Sequence, residues 1–252
     1  MAFDLAAAVE EFWQARQRGE YFPRAWFDRL SLDEAYAIQL ALIDRRVAQG
    51  EHQIGWKVGL TAKPIQEQFG FHEPVFGCIL NSVPTGTTLK AAELIAPGFE
   101  SELCLRMGRE LSGEISMGQA RAAVAGVHPS LEIIETRGDL SAQVALAMAD
   151  NAQQKTVVLG EAVPLGNRAL DQITCAVRMN GAVVAEGTGA AVLGNPLNSV
   201  IWLAGKLAQF GRKIRVGDII MSGSFVRQFP LAAGDRVRVD YSGVGHVEVA
   251  VA

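Results

Sequence analysis

The chain has 252 residues, of which 49% are hydrophobic and 20% are charged, and its formal net charge is −4. This balance is typical of a folded globular protein and excludes an intrinsically disordered chain. Because the charge is negative and no block of basic residues occurs, nucleic acid is not expected as a partner.

Neither export nor a membrane partner is expected. The first residues lack the basic start and apolar centre of a signal peptide. The longest uncharged stretch, 187–205, is interrupted by Asn195, Pro196 and Asn198, so we interpret it as a loop leading into a helix. The three cysteines are odd in number and widely spaced. They favour a reducing, cytoplasmic location over a disulfide framework.

Residues 1–52 are predicted to form a helical N-terminal portion. Ser31 and Glu34 have the spacing of a capping box, and Gly50 provides a stop signal. Between them an apolar stripe has helical spacing: Tyr36, Leu40, Ile43 and Val47. This stripe should pack against the rest of the protein.

Residues 53–252 are predicted to form a β-rich catalytic domain within a single structural unit. Ser116 and Gln119 indicate one further helix, and Asn180-Gly181 predicts a hairpin because both residues tolerate positive φ. Asn195 and Pro196 are expected to begin a helix that ends at Gly211. Strands are expected at 218–222, 236–241 and 246–251.

Two glutamates share one face of a predicted strand. Residues 99–105 alternate between the two faces, which places Glu100 and Glu102 on the same side, roughly 6.6 Å apart at the backbone. Two bare carboxylates so close would raise each other's pKa. A hard cation between them resolves that conflict.

A third carboxylate, Glu132, interrupts the apolar run of Leu131, Ile133 and Ile134. Burying it unpaired would be costly, so it should have a partner. Three carboxylates suit Mg²⁺ or Mn²⁺, whereas zinc prefers histidine or thiolate ligands. The spacing leaves an alternative equally open, in which Glu100 and Glu102 form a solvated face and Glu132 pairs with Arg137.

Five segments, covering most of the chain and in the same order, resemble the 2-oxo-pent-4-enoate hydratase and oxalocrotonate decarboxylase branch of the fumarylacetoacetate hydrolase superfamily. They are Gly-Trp-Lys-Val-Gly-Leu-Thr at 55–61, Phe-Glu-Ser-Glu at 99–102, Pro-Ser-Leu-Glu at 129–132 with Arg137, Ala-Asp-Asn-Ala at 149–152, and Gly-Ala-Ala-Val-Leu-Gly-Asn-Pro-Leu-Asn at 189–198. The resemblance implies a mixed α/β fold and a metal-dependent lyase of aromatic-compound catabolism.

The resemblance also implies roles for individual residues. The metal ligands would be Glu100, Glu102 and Glu132, holding Mg²⁺ or Mn²⁺. Lys57 would be catalytic, and the residues that bind a small 2-oxo acid would be Ser224, Asn151 and Arg227. Each role has a plainer alternative: a surface position for Lys57, the start of a helix for Asn151, and a solvent-facing side chain for Arg227. A homo-oligomer is expected, and a complex with an enzyme of a neighbouring step is left open.

Val75 is the main departure from the hydratase pattern. The hydratases usually have an aspartate at this position, whereas the decarboxylases have an aliphatic residue. The segment at 220–227 and the pair Gly234-Asp235 are most similar to the hydratases that act on longer dicarboxylic oxo-dienoates. Hydratase is therefore the first expectation, decarboxylase the second and acylpyruvate hydrolase the third, with a non-catalytic partner subunit as the alternative from another class.

Overall fold

The computed structural model describes residues 3–68 and 72–252, and it combines two β-sheets with surrounding helices. The α-helices are α1 (Leu5–Gln17), α2 (Leu32–Ala48), α3 (Lys63–Gln68), α4 (Met117–Ala123), α5 (Val144–Ala149) and α6 (Leu197–Gln209). The strands are β1 (Gly55–Gly59), β2 (Val75–Ile79), β3 (Ser82–Pro84), β4 (Thr88–Leu89), β5 (Pro97–Met107), β6 (Val124–Glu135), β7 (Gln154–Leu159), β8 (Thr174–Met179), β9 (Ala182–Thr188), β10 (Ile219–Ser224), β11 (Phe229–Pro230), β12 (Arg236–Tyr241) and β13 (Gly245–Val251).

The larger sheet has the strand order β2-β1-β10-β5-β6-β7-β3, with β11 also paired to β5. The smaller sheet has the order β4-β13-β12-β8-β9. The sheets meet where the hydroxyl of Tyr241 on β12 donates a hydrogen bond to the carbonyl oxygen of Ser130 on β6, at 3.1 Å. The predicted mixed α/β, β-rich fold is confirmed. It places the two longest strands, β5 and β6, side by side near the middle of the larger sheet.

The N-terminal helices pack on the same hydrophobic core as the sheets, through side chains that include Phe12 and Tyr36. Ser31 and Glu34 form the predicted capping box at the start of α2. The apolar stripe is shorter than predicted, because Val47 is 41% exposed. The division of the chain at residue 52 stays a prediction.

Local sequence signals in the second half are confirmed with small shifts. Asn180 and Gly181 both have positive φ, 53° and 87°, in the turn between β8 and β9. The side chain of Asn195 accepts a hydrogen bond from the backbone of Leu197, where α6 begins, so the helix starts one residue later than predicted. Within residues 3–68 and 72–252, no helix has the length and apolarity needed to cross a membrane.

Candidate metal centre

Neighbouring strands bring the three glutamates together. Glu100 and Glu102 lie on β5, and Glu132 lies on β6, where it is directly opposite Glu100 in the antiparallel register. One carboxylate oxygen from each residue lies within 4.8 Å of the others. Period-two spacing on β5 and the cross-strand pairing to β6 together account for this convergence.

Three carboxylate oxygens of this cluster lack a hydrogen-bond donor among the described residues. Glu102 and Glu132 are fully buried, and Oε1 of Glu102 and both carboxylate oxygens of Glu132 have no hydrogen-bond partner among the described residues. A buried acceptor without a donor is costly, more so when it is charged. Oxygen ligands of this kind and number suit a hard divalent cation such as Mg²⁺ or Mn²⁺. The residues present therefore fit the predicted metal.

The same burial raises the pKa of all three carboxyls in the metal-free protein. Desolvation is the largest cause for each, and it raises the pKa of Glu132 to about 7. Glu102 is raised further by the charges of Glu132 and Glu100. A bound cation would favour the ionised forms and reverse these shifts.

Lys57 provides a positive charge beside the cluster. It lies on β1, its residue is only 5% exposed, and its Nζ atom is 3.3 Å from Oε1 of Glu132. Burial lowers the pKa of Lys57, but the attraction of Glu132, Glu100 and Glu102 outweighs burial, so the net shift is upward. The predicted surface alternative for Lys57 is wrong.

A backbone group that the sequence reasoning missed also contacts the cluster. The N–H of Gly223 donates a hydrogen bond of 2.7 Å to Oε2 of Glu102. Gly223 has φ +116°, and a Cβ there would lie 2.4 Å from Oγ1 of Thr61, so only glycine fits this approach. The signal was available, since Gly223 interrupts the strand pattern of β10.

A cleft of about 500 Å³ opens from Lys57 and Glu100. Its remaining wall is largely apolar: Leu60, Val75, Ile134, Leu140, Met148 and Ala152. A second cavity of about 280 Å³ adjoins it and shares Glu100, Leu60 and Leu140. The two cavities therefore form two branches of one space that begins at the carboxylate cluster.

Ser224 and Arg227 border the second branch of this space. The hydroxyl of Ser224 donates a hydrogen bond of 3.3 Å to the carbonyl oxygen of Ser101. The Arg227 guanidinium lies 3.9 Å from the ring centroid of Phe229 and bonds the carbonyl oxygen of Gln228. Arg227 is exposed, so its position is compatible both with solvent and with a ligand in this branch.

Asn151 is held by backbone groups of β2. Its side chain accepts a hydrogen bond of 2.7 Å from the Cys78 nitrogen and donates one of 2.8 Å to the Cys78 oxygen. Both ends of the amide are thus engaged in fixing the strand that carries Val75. In this arrangement Asn151 supports the cleft wall, and its predicted role in binding substrate stays a prediction.

The ion pair between Glu132 and Arg137, which the sequence left open as an alternative, does not form. Arg137 instead pairs with Glu135 and Asp150, and both of these acceptors are buried. Glu132 faces Lys57 on the other side of the strand. The solvated-face alternative also fails for Glu102, which is fully buried.

Val75 lines the cleft near Lys57, and the acidic or basic residues that precede it do not replace an aspartate there. Glu73 pairs with Lys206 at 2.8 Å and accepts a hydrogen bond from Trp202, in a separate cavity. His72 is exposed. The cleft therefore has the aliphatic side chain of Val75 at this position, with no carboxylate from the preceding loop beside it.

The fold and the carboxylate cluster define an α/β protein with a candidate divalent-cation site beside a buried lysine. Residues 60–252 match the family model described as fumarylacetoacetate (FAA) hydrolase C-terminal. The chain belongs to the fumarylacetoacetate hydrolase family.

Relatives of known name cover nearly the whole chain. A 2-keto-4-pentenoate hydratase of Paraburkholderia xenovorans (strain LB400) is 35% identical over 248 residues, which are 95% of this chain and 92% of the relative. A 2-hydroxyhexa-2,4-dienoate hydratase of Comamonas testosteroni is 35% identical over 224 residues, covering 86% of this chain and 84% of the relative.

A solved structure with a bound metal has the same fold. The 4-oxalocrotonate decarboxylase from Pseudomonas putida G7, complexed with magnesium and adipate, superposes with a TM-score of 0.92 at 31% identity, covering 98% of this chain and 97% of that one. The chain is thus similar to proteins of both names, hydratase and decarboxylase.

Proposed function

We propose that this chain is a divalent-metal-dependent lyase that adds water to a 2-hydroxy-2,4-dienoate, of the 2-oxo-pent-4-enoate type, in aromatic-compound catabolism. The observation that carries the proposal is the cluster of Glu100, Glu102 and Glu132, in which three buried oxygens of Glu102 and Glu132 have no hydrogen-bond partner and which lies beside Lys57 at the end of a cleft. Similarity to hydratases over 95% of the chain supports the reaction type.

A divalent cation held by the glutamates would stabilise the negative charge that develops on the C2 oxygen of a 2-oxo acid. The protein's own contribution begins with Lys57, whose pKa is raised and whose ammonium therefore stays charged at neutral pH. This ammonium can attract the C1 carboxylate of the substrate. It can also hold a proton at Nζ, which hydration requires because the dienol gains a proton before water adds.

The charges of the residues that line the cleft favour a substrate with an uncharged tail. Among the described residues that line the larger branch, Lys57 is the only cation, and it already faces Glu132. The rest of this branch combines apolar side chains with uncharged polar ones and the carboxylates of Glu100 and Asp139, so it has no further cation to neutralise a second carboxylate. A short alkenyl tail would bury its apolar surface there.

A decarboxylase of the 4-oxalocrotonate type is the second candidate, and Val75 supports it. Loss of carbon dioxide needs no acid at that position, and the aliphatic side chain is buried where the hydratases usually have an aspartate. The exposed Arg227 in the second branch offers a cation for a distal carboxylate. The overall similarity to a decarboxylase structure is consistent with this candidate.

One incubation separates the two reactions. The protein is mixed with Mg²⁺ and either 2-hydroxypenta-2,4-dienoate or 4-oxalocrotonate, and the products are identified by mass. Gain of one water by the dienoate supports the proposal, and loss of carbon dioxide from oxalocrotonate without any hydration would replace it by the second candidate. No turnover of either compound, with or without Mg²⁺, would leave the acylpyruvate hydrolase and the non-catalytic subunit, which turnover of an acylpyruvate would then separate.

The proposal also includes a homo-oligomeric assembly and a cytoplasmic location. Val183 and Val184 are 48% and 40% exposed on β9, which lies at the edge of the smaller sheet. An exposed apolar edge strand suits contact with a second copy, so a homo-oligomer is expected in light-scattering measurements. The free cysteines Cys78, Cys104 and Cys175 suit the reducing conditions of the cytoplasm.

A further inference from the structure

The outer wall of the larger branch is a loop at 136–143, between β6 and α5. Five of its residues line the cleft: Thr136, Gly138, Asp139, Leu140 and Ser141. Leu140 also borders the second branch. The position of this loop therefore sets where Leu140 lies, the one large apolar side chain that the loop contributes to both branches of the cleft.

The loop is joined to the sheet at its start, where Arg137 pairs with Glu135 and Asp150, whereas the hydrogen bonds of residues 139–142 lie within the turn. Oδ1 of Asp139 accepts hydrogen bonds from the backbone and hydroxyl of Ser141, which shape the turn internally. The side-chain amide of Gln153, which follows α5 in the chain, donates a hydrogen bond of 3.1 Å to the carbonyl oxygen of Gly138. These bonds define the turn, but none of them is made by its outer face, which contacts another part of the chain.

That outer face is covered by the N-terminal segment 21–28. The Phe22 ring lies against the backbone of Gly138, where an added Cβ would be 2.4 Å from two ring carbons. No side chain larger than hydrogen fits between the ring and the loop without displacement. Phe22 therefore sets how far the loop can move away from the cleft.

Two further contacts hold the ends of the loop to the same segment. At its beginning, the Arg137 guanidinium lies 5.2 Å from the centroid of the Tyr21 ring. At its end, Asp28 and Gln143 exchange two hydrogen bonds, one of 3.1 Å from the Asp28 nitrogen and one of 2.9 Å from the Gln143 amide. The segment thus contacts the loop at both ends and in the middle.

We propose that the N-terminal segment 21–28 is a positioning element of the substrate cleft, with Phe22 as its central positioning residue. By fixing the loop at 136–143, it sets the affinity of the cleft for the tail of a 2-oxo acid, while the carboxylate cluster is left unaffected. This inference rests on the proposed function in one respect, namely that the ligand is a 2-oxo acid. None of the three contacts touches Glu100, Glu102 or Glu132.

Two probes of different length test the inference. Pyruvate has no tail beyond its methyl group, whereas 2-oxohexanoate carries an alkyl chain that is expected to reach the part of the cleft lined by Leu140. Binding of each is measured by calorimetry with Mg²⁺ present. In Phe22→Ala, 2-oxohexanoate should bind roughly tenfold more weakly, the order expected when a methylene or two lose their apolar contact, and pyruvate should bind within about twofold of the wild type.

A second variant displaces the loop without replacing any residue of the N-terminal segment. Gly138→Ala places a methyl group against the Phe22 ring and should give the same selective loss. The matched control is Asp44→Ala, which breaks the exposed ion pair between α2 and Arg212 and leaves the loop contacts intact. This control should bind both acids as the wild type does. Turnover in the loop variants should show a raised KM with kcat retained.

Hydrogen exchange gives a readout that does not depend on the ligand. Amides at 137–143 should exchange faster in Phe22→Ala than in Asp44→Ala, while those of β5 and β6 stay protected. Unchanged exchange in the loop, or equal weakening of both acids, would overturn the inference. If the wild type binds neither acid in the presence of Mg²⁺, the proposed function is wrong, and the exchange comparison alone then decides the positioning role.

Discussion

Lys57 and Glu132 form a buried ion pair, with 3.3 Å between Nζ and Oε1 and side-chain exposures of 6% and 0%. The pair links β1 to β6 across β10 and β5, so it depends on the register of four strands. It gives the cleft a cation next to a glutamate that also belongs to the carboxylate cluster. The chemistry of the cleft is therefore coupled to the stability of the sheet.

Lys57→Met should lower kcat/KM by roughly 10² or more, the typical contribution of one positioned acid or base. It should also destabilise the metal-free protein by about 3–5 kcal/mol, because Glu132 loses its buried counter-charge. Lys206→Met is the matched control, since Lys206 is also buried and paired, but with Glu73 outside the cleft. Wild-type kinetics in Lys57→Met would remove Lys57 from the mechanism.

Val75→Asp should create or raise hydratase activity, because the new carboxylate would face the cleft close to Lys57. Since the position is 3% exposed, we expect a cost of about 1–3 kcal/mol in unfolding free energy. Val58→Asp, on the neighbouring strand but outside the lining of the cleft, controls for a buried charge alone. If a Val75→Asp protein folds, binds Mg²⁺ and hydrates no better than the wild type, then a carboxylate at this position does not contribute to hydration.

Thermal unfolding should depend on pH in opposite ways with and without Mg²⁺. The pKa of Glu132 is raised to about 7 from its ordinary 4.5. Between these values the folded, metal-free protein binds more protons than the unfolded chain, so its stability should fall as pH rises through the window. Mg²⁺ binds the ionised carboxylates, so the stabilisation it gives should increase over the same window. Glu132→Gln should make both profiles shallower without abolishing the slope, because the pKa values of Glu102 and Asp150 are raised too, and parallel profiles in the wild type would contradict this account.

Arg227→Gln should distinguish between ligands that occupy the two branches of the cleft, because Arg227 lines only the second branch. Its loss should weaken binding of 2-oxoadipate by roughly tenfold or more, the order for a hydrogen bond to a charged group. Binding of 2-oxohexanoate, which has the same chain length without the distal carboxylate, should not change. Arg236→Gln, an exposed arginine on the smaller sheet, is the control for a general charge effect. Equal affinity of the variant and the wild type for 2-oxoadipate would place Arg227 in solvent.

The parts of the fold that the sequence predicted are those encoded by local rules. The capping box at Ser31, the turn at Asn180 and the shared strand face of Glu100 and Glu102 depend on residues within four positions of each other. Resemblance to a family added Lys57 and Glu132, which spacing alone left undecided. The N-terminal stripe was predicted one turn too long because Val47 gave no sign of its exposure.

Long-range contacts could not be predicted from the sequence. The amide of Asn151 bonds the backbone of Cys78, 73 positions away, and nothing in either segment specifies that pairing. Glu132 pairs with Lys57 and not with Arg137, although Arg137 is much nearer in the sequence. Arg137 follows β6 and pairs with Glu135 and Asp150 instead. The contact of Phe22 with Gly138 likewise exists only once the N-terminal segment is packed on the loop.

The most direct test of the central claim is titration of Mn²⁺ or Mg²⁺ into the wild type and Glu102→Gln by calorimetry at neutral pH. Glu102→Gln removes one charge and keeps the size of the side chain. The account predicts one cation bound per chain in the wild type and a binding enthalpy lost or greatly reduced in the variant, whose circular dichroism spectrum stays unchanged. Unchanged metal affinity in a folded Glu102→Gln protein would contradict the assignment of Glu100, Glu102 and Glu132 as the metal site.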